Sequence, residues 1–259
     1  MEKIKISAVS YLNTIPFLYG IKSSKLLEQI ELQLDYPSEC ARKLISQEVD
    51  MGLVPVAALL QIPDYQIISD YCIGANNAVR TVLLVSNVPV TEIEAIELDY
   101  QSRTSVALVK VLAKHFWQIS PKFVAAQKDY EPNIGGKNGG VIIGDRTFLP
   151  YIQQYKYVYD LAEQWKLFCG LPFVFAVWAS NKKMNQQFCE SFNAALEIGI
   201  NNLENVVNEY NEVSFIDKSD LYDYLKNNIS YQLNSEKIEG MNLFLKFLKE
   251  GEFGVKSEK

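Results

Sequence analysis

The sequence has few of the residues that metal centres and nucleophilic catalysis need. Its 259 residues include one histidine, His115, and four cysteines with no Cys-x-x-Cys pair. His-Glu-x-x-His and Gly-x-Ser-x-Gly motifs are absent. The glycine-rich residues 135–140 lack the phosphate-loop spacing and lead into a strand pattern, so we interpret them as a flexible turn. These absences argue against metallohydrolase, Ser-His-Asp and nucleotide-dependent chemistry. We therefore expect no metal and no cofactor.

Long apolar runs are also missing. The most apolar windows, residues 52–60 and 171–179, are half the roughly 20 residues that a membrane span requires. The N-terminus moves directly into a strand-like pattern without a signal-peptide stretch. The isolated cysteines indicate buried, reduced thiols. We expect a cytoplasmic protein that has no membrane partner.

Positive charge is the third scarce feature. Lys and Arg number 25 against 31 Asp and Glu, which gives a formal charge of −6. Nucleic-acid binding needs a clustered cationic surface, so we expect no nucleic-acid partner. A small anionic molecule bound by a few arginines is compatible with this charge. The sequence does not indicate an oligomeric state.

Short β-rich runs alternate with helical periodicity. The runs are residues 4–9, 30–35, 50–55 and 80–86, and a second series starts near residue 96 and passes through a helix at 104–116. This alternation predicts an α/β fold with two lobes, residues 1–88 plus 174–259 and residues 89–173. Two crossover strands, 80–86 and 173–180, would join the lobes around an interlobe cleft. Open α/β sheets bind ligands at strand C-terminal ends, so this cleft is the predicted site.

One group of candidate site residues follows the first strand. Ser10, Tyr11 and Asn13 present hydroxyl and amide groups where the strand ends. The alternative is structural, because Asn13 or Thr14 is well placed to cap a helix that has Pro16 in its first turn.

A second group of candidates opens the helix near residue 104. Ser102, Arg103, Thr104 and Ser105 bring hydroxyls, backbone N–H groups and a guanidinium to a helix N-terminus, which receives carboxylates well. The alternative is an ordinary cap with a solvated arginine.

Further candidates come from the strand ends of the same half of the chain. Arg80 and Arg146 are additional candidates for anion contacts. Asp145, at the end of Gly-Val-Ile-Ile-Gly-Asp, either lines the cleft or caps a turn.

Six segments together resemble a known family. In order they are SYLNTIPF, VDMGLVPVAAL, RTVLLVS, LDYQSRTSV, VIIGD and DLAEQWKLFCGLPFVFAVWA. As a set they are similar to the menaquinone-biosynthesis family typified by chorismate dehydratase of the futalosine route. The resemblance implies a periplasmic-binding-protein type II fold used as an enzyme. It implies a hydro-lyase that converts chorismate to 3-[(1-carboxyvinyl)oxy]benzoate.

The resemblance also assigns two catalytic positions. The family's asparagine falls on Asn13, and its small hydroxyl residue falls on Thr81. The chain departs from the family at residues 76–78, where a glycine is usual, at Thr81, where serine is usual, and at Ala162, where glycine is usual. Two alternatives stay open: a naphthoate-forming sister enzyme of the same route, and a cytoplasmic anion-binding protein without chemistry.

Overall fold

The computed structural model describes residues 3–211 and 215–251. The chain forms two compact units: unit 1 holds residues 1–74 and 174–234, and unit 2 holds residues 75–173 and 235–259. Each unit is described by itself.

The two units differ from the predicted lobes in two places. Residues 75–88 and the C-terminal helix, which the sequence prediction assigned to lobe 1, belong to unit 2. The division into units does not test the predicted lobe boundaries, which stay a prediction. Residues 1–2, 212–214 and 252–259 of the predicted lobes lie outside the described residues.

Unit 1 is built on a mixed sheet. Among the described residues the sheet has six strands in the order β11-β4-β10-β3-β1-β2. β1 pairs in parallel with β2 and β3, and β10 runs antiparallel to β3. β3 and β10 are buried along their whole length. The bounds are β1 Ile4–Val9, β2 Ile30–Asp35, β3 Met51–Pro55, β4 Gln66–Ala75, β10 Phe173–Ser180 and β11 Ser230–Gln232.

The helices of unit 1 follow local sequence signals. α2 starts at Pro37, whose fixed φ suits the first helical turn, so Tyr36 is the N-cap. Asn201 and Asn202 separate α5 from α6. The bounds are α1 Ile15–Lys22, α2 Pro37–Ile45, α5 Gln186–Ile200, α6 Leu203–Glu209 and α7 Lys218–Asp223, which a π-helical turn Tyr224–Asn228 extends.

Unit 2 has a second mixed sheet. Its five strands, counted over the described residues, have the order β7-β6-β8-β5-β9. β6 is parallel to β7 and β8, whereas β5 is antiparallel to β8 and β9. The strands are β5 Val82–Ser86, β6 Ala95–Leu98, β7 Lys122–Ala125, β8 Asn138–Ile143 and β9 Tyr157–Asp160, and the helices are α3 Arg103–His115, α4 Leu161–Cys169 and α8 Ser235–Glu250.

Aromatic packing places α8 in unit 2. The ring of Phe244 lies 5.1 Å from Phe173 and 6.0 Å from Trp165, measured between centroids. His115, the single histidine, packs its ring 4.7 Å from Phe247. These edge and tilted contacts bury the apolar face of α8 against α3 and α4.

The glycine-rich residues 135–140 divide between a turn and a strand. Gly136 takes a positive φ of 60° in the turn, as expected. Gly139 and Gly140 instead belong to β8. A Cβ on Gly140 would lie 2.1 Å from the Ile134 side chain, so close packing explains this glycine.

The thiols are free, as predicted, but only two are buried. Cys40 and Cys72 are buried, whereas Cys169 and Cys189 are partly exposed. Burial raises the pKa of the Cys40 thiol to about 12. Within residues 3–211 and 215–251, no helix has the length and apolar content that crossing a membrane requires.

Candidate functional site

The first candidate group lies at the carboxyl end of β1 in unit 1. Ser10 is exposed, and its N–H donates to the carbonyl of Asp35 at 3.1 Å. Tyr11 is half-buried and its ring centroid lies 6.4 Å from that of Tyr36. The two loops that follow β1 and β2 are therefore adjacent at one edge of the sheet.

Asn13 is held by its neighbours without acting as a helix cap. α1 begins at Ile15 after Thr14, and neither Asn13 nor Thr14 makes a side-chain capping bond. The Thr14 hydroxyl donates to the Asn13 amide oxygen at 3.1 Å, and the Tyr231 hydroxyl donates to the Asn13 carbonyl at 3.1 Å. The structural alternative therefore does not account for the Asn13 side chain.

The second candidate group lies at one edge of the unit 2 sheet. β6 and β8 are parallel, so Asp99 and Gly144 both follow strand ends at that edge. β5 is antiparallel, with Val82 opposite Ile143, so Arg80 and Thr81 precede it at the same edge. Asp160 ends β9 opposite Leu83. We call residues 80–81, 99–105, 144–146 and 160 the unit 2 edge.

Ser102 is a true helix cap. Its hydroxyl oxygen accepts the Ser105 N–H at 3.1 Å and lies 2.9 Å from the Ser105 hydroxyl. Ser102, Thr104 and Ser105 are buried. The capping alternative therefore holds for Ser102, and the small hydroxyls of this segment shape the start of α3.

Arg103 is the first residue of α3 and is half-buried. Burial lowers the pKa of its guanidinium. The positive end of the helix dipole adds to this partly desolvated charge. Together they favour a carboxylate at the start of α3.

Arg146 binds two carboxylates of the protein. Its guanidinium donates to Asp99 and to Glu131, whose side chains are 0% and 6% exposed. It also donates to the Gln101 amide oxygen at 3.2 Å. Because two carboxylates of the protein neutralise Arg146, this arginine is a poor candidate for contacts to a bound anion.

The hydrogen bonds of Asp99, a partner of Arg146, also hold the loop that leads into α3. One Asp99 oxygen accepts the Gln101 N–H at 2.7 Å, and the other accepts from the Tyr130 hydroxyl at 3.2 Å. Burial raises the pKa of the Asp99 carboxyl, and the Arg146 charge opposes the rise. Burial lowers the pKa of Arg146, but the carboxylate charges more than offset it, so the net direction is upward. These contacts connect the loop that leads into α3 to Arg146 and Tyr130.

Arg80 has a left-handed backbone, with φ of 66°. Its N–H donates to the Asp160 carboxylate at 2.7 Å, and its guanidinium lies 5.3 Å from the Phe148 ring centroid. The next residue, Thr81, is buried, and its carbonyl accepts the Gly144 N–H at 2.9 Å. Asp145 is half-buried in the first turn of the 3-10 helix that follows β8.

Sequence reasoning missed the carboxylates of this edge. Asp99 and Asp160 were not candidates, although Asp99 directly follows β6 and Asp160 ends β9, and a helix comes after each. That position was the available signal, because strand ends supply polar groups to one sheet edge. Glu131 gives no comparable signal, since it lies in a short 3-10 turn.

No metal centre accompanies these groups in the described part of the chain, where no three His, Cys, Asp or Glu side chains form a cluster suited to an ion. The residues of the unit 2 edge offer hydrogen bonding, guanidinium charge, carboxylates and a helix N-terminus.

The comparisons with known proteins agree with this picture of the fold. The model of the menaquinone biosynthesis family matches residues 4–250. A Thermus thermophilus protein named chorismate dehydratase is 28% identical over 196 residues, which cover 67% of this chain and 68% of that protein. A Campylobacter jejuni protein of the same name is 24% identical over 248 residues, which cover 93% and 96%.

Solved structures identify the architecture. The alkanesulfonate-binding protein from Xanthomonas axonopodis superposes with a TM-score of 0.67 at 14% identity, covering 98% of this chain and 94% of that one. A Candida albicans protein described as having the generic periplasmic binding protein fold superposes with a TM-score of 0.63 at 13% identity, covering 100% and 92%. This chain therefore has the periplasmic-binding-protein fold, as predicted.

The family assignment follows from the extent of the match. Because the family model covers nearly the whole chain, this protein belongs to the menaquinone biosynthesis family.

Proposed function

We propose that this protein is a chorismate dehydratase, a hydro-lyase that eliminates water from chorismate to give 3-[(1-carboxyvinyl)oxy]benzoate. The observation that carries the proposal is the family match over residues 4–250, together with the name shared by both curated relatives. The unit 2 edge supports it, because Arg80 and Arg103 are suited to a substrate with two carboxylates.

The reaction needs orientation and charge placement more than a strong external reagent. Loss of water makes the ring aromatic, which drives the elimination. Removing the proton from the ether-bearing carbon sends charge towards the ring carboxylate, so a fixed cation there lowers the barrier. We assign that task to Arg103, assisted by the α3 dipole.

The departing hydroxide needs a hydrogen-bond donor, because it is a poor leaving group. Asn13 carries an amide and Thr81 a hydroxyl, and the family resemblance assigns both. The bonds around Asn13 from Thr14 and Tyr231 fix its position. We propose Asn13, Thr81 or an ordered water as alternative candidates for this donor.

The base is proposed to be the enolpyruvyl carboxylate of the substrate itself. His115 packs on Phe247, and the Asp99 and Asp160 carboxylates already accept hydrogen bonds from the protein. Asp145 is the carboxylate to test. If D145N abolishes turnover while chorismate still binds, the protein supplies the base and this step is wrong.

The activity test is direct. Purified protein is mixed with chorismate without any cofactor, and the product is followed by aromatic absorbance and by mass, which falls by one water. The expected result is conversion to the enol ether. Binding without conversion favours an anion-binding protein, and no binding favours a different substrate such as that of the naphthoate-forming sister enzyme.

The proposed anion contact has a matched control. R103A removes the cation assigned both to substrate binding and to the charge that develops in the transition state, so kcat/KM should fall roughly ten- to a hundredfold, as expected for the usual 1.5–3 kcal/mol of a charge-assisted contact. R42A removes an exposed arginine bound to Glu39 and Glu48, and should leave kcat/KM unchanged. Equal kcat/KM values for both variants would remove Arg103 from the proposed site.

A further inference from the structure

The backbone conformation of Arg80 is energetically unfavourable for a residue that has a side chain. Its φ of 66° lies in the left-handed region, where the Cβ crowds the backbone. The unfavourable backbone persists only if surrounding contacts hold it. Arg80 directly precedes Thr81, the hydroxyl residue of the proposed chemistry.

The Asp160 carboxylate supplies the contact that holds Arg80. The Arg80 N–H donates to Asp160 Oδ2 at 2.7 Å. The other oxygen, Oδ1, accepts the N–H groups of Ala162 and Glu163 at 3.0 and 3.2 Å and so caps α4. The Asp160 residue is 8% exposed, so water competes little for these bonds.

Hydrogen bonds before and after Arg80 couple its backbone conformation to the position of Thr81. The Thr81 hydroxyl lies 3.5 Å from the Val79 carbonyl, and the Thr81 carbonyl accepts the Gly144 N–H at 2.9 Å. Thr81 is thus tied to the turn before it and to the end of β8. A change of φ at Arg80 would rotate this segment against both ties.

We propose that Asp160 is a positioning residue, whose carboxylate holds Arg80 in the left-handed conformation and thereby orients the Thr81 hydroxyl for the elimination. This inference rests on the proposed function of Thr81. The two Asp160 carboxylate oxygens have separate roles. Oδ1 caps the N-terminus of α4, and Oδ2 binds the segment that precedes β5.

The substitution D160N separates these two roles. Asparagine is as good an N-cap as aspartate, so its oxygen keeps the bonds to Ala162 and Glu163. Its NH2 group would face the Arg80 N–H, and two donors cannot bond. We expect kcat to fall about tenfold, equivalent to about 1.4 kcal/mol, while KM changes by less than about twofold.

A double-mutant cycle with R80G tests the cause of that loss. Glycine adopts a positive φ without steric cost, so it does not need Asp160. In the R80G background, D160N should therefore change kcat by less than about twofold. An equal loss in both backgrounds, or a loss confined to KM, overturns the positioning proposal. An equal loss would instead indicate that Asp160 acts on the substrate.

The control variant is N185A. Asn185 caps α5 in unit 1 by accepting the Gln187 N–H at 2.8 Å. It should lower the melting temperature without changing kcat. If N185A lowers kcat as D160N does, the effect of D160N reflects stability and the proposal fails.

A second measurement keeps this inference apart from the proposed function. If the wild-type protein leaves chorismate unchanged, the proposed function fails. Amide hydrogen exchange then still tests whether Asp160 keeps Arg80 in its left-handed conformation. D160N should speed exchange at residues 79–82 and leave residues 162–166 protected. Unchanged exchange at residues 79–82 would overturn the inference.

Discussion

Arg42 and Arg146 each bridge two carboxylates, and the two clusters differ in burial. Arg42 pairs with Glu39 and Glu48, whose side chains are 38% and 49% exposed. Arg146 pairs with Asp99 and Glu131, which are almost fully buried. Water screens the exposed Arg42 cluster but not the buried Arg146 cluster. The two clusters should therefore contribute differently to the free energy of unfolding, although their contacts are alike.

The substitution pair R146M and R42M measures that difference. R146M leaves Asp99 and Glu131 buried without a cation, which should cost about 3–5 kcal/mol of unfolding free energy. R42M should leave the unfolding free energy nearly unchanged, because water screens the exposed ion pairs of Arg42. Urea unfolding of both variants gives the two values. Equal losses would show that the buried network adds little to stability.

The ionisation of Asp160 should also appear in the pH dependence of stability. Burial raises the pKa of its carboxyl, against the bonds from Arg80 and its neighbours. The folded chain then binds this proton more tightly than the unfolded chain does, so the stabilising contribution is present below the unfolded pKa and is lost as pH rises through the folded pKa.

We therefore expect the stability of the wild-type protein, relative to D160N, to fall as pH rises from about 4 and then to level off. Urea unfolding at stepped pH measures this difference. If the wild-type protein gains stability relative to D160N over that range, burial does not dominate at Asp160.

At the scale of elements, two glycines let α1 and α5 touch. A Cβ on Gly20 would lie 1.9 Å from the Ala195 carbonyl oxygen, and a Cβ on Gly199 would lie 1.7 Å from the Pro16 carbonyl oxygen. Both obstacles are backbone atoms, which cannot rotate away. The helices can cross here only because neither residue has a side chain.

The substitution G199A should therefore destabilise the protein by about 1–3 kcal/mol or more, as overpacking does. G135A is the matched control, because a Cβ there meets no atom within 4 Å. It should be neutral or slightly stabilising. Thermal melts of the two variants provide the comparison, and a G199A protein as stable as G135A would contradict the close crossing.

Element prediction succeeded where signals are local. The strands at residues 4–9 and 30–35 have the predicted bounds, and α3 starts one residue before the predicted 104. β4 was missed, because its ten residues mix buried and exposed positions without strict alternation. β11 was also missed, since three residues are too short for a pattern.

At the scale of the whole molecule, each unit is assembled from separate stretches of chain. α8 follows unit 1 in sequence but packs its aromatic face on Trp165 and Phe173 in unit 2. Phe244 is fully buried in that contact. The folding of unit 2 therefore depends on a segment that follows the rest of the unit by more than 60 positions in the sequence.

The substitution F244A tests that dependence. Removal of a buried phenylalanine ring should cost about 3–5 kcal/mol. Hydrogen exchange followed by mass spectrometry should show the largest loss of protection at residues 103–115 and 161–173. Residues 4–9 and 186–200 serve as the internal reference. A larger loss in the reference segments would contradict the assignment of α8 to unit 2.

The sequence by itself determined the α/β pattern, the family resemblance and a helix that begins near residue 104. These depend on periodicity, motif order and capping, which are properties of neighbouring residues. Only the tertiary structure decided that Arg146 pairs with Asp99 and Glu131, that Asp160 holds Arg80, and that α8 joins unit 2. The Arg146–Asp99 and Arg80–Asp160 contacts join residues 47 and 80 positions apart. Strand order and burial create such contacts, and no local pattern encodes them.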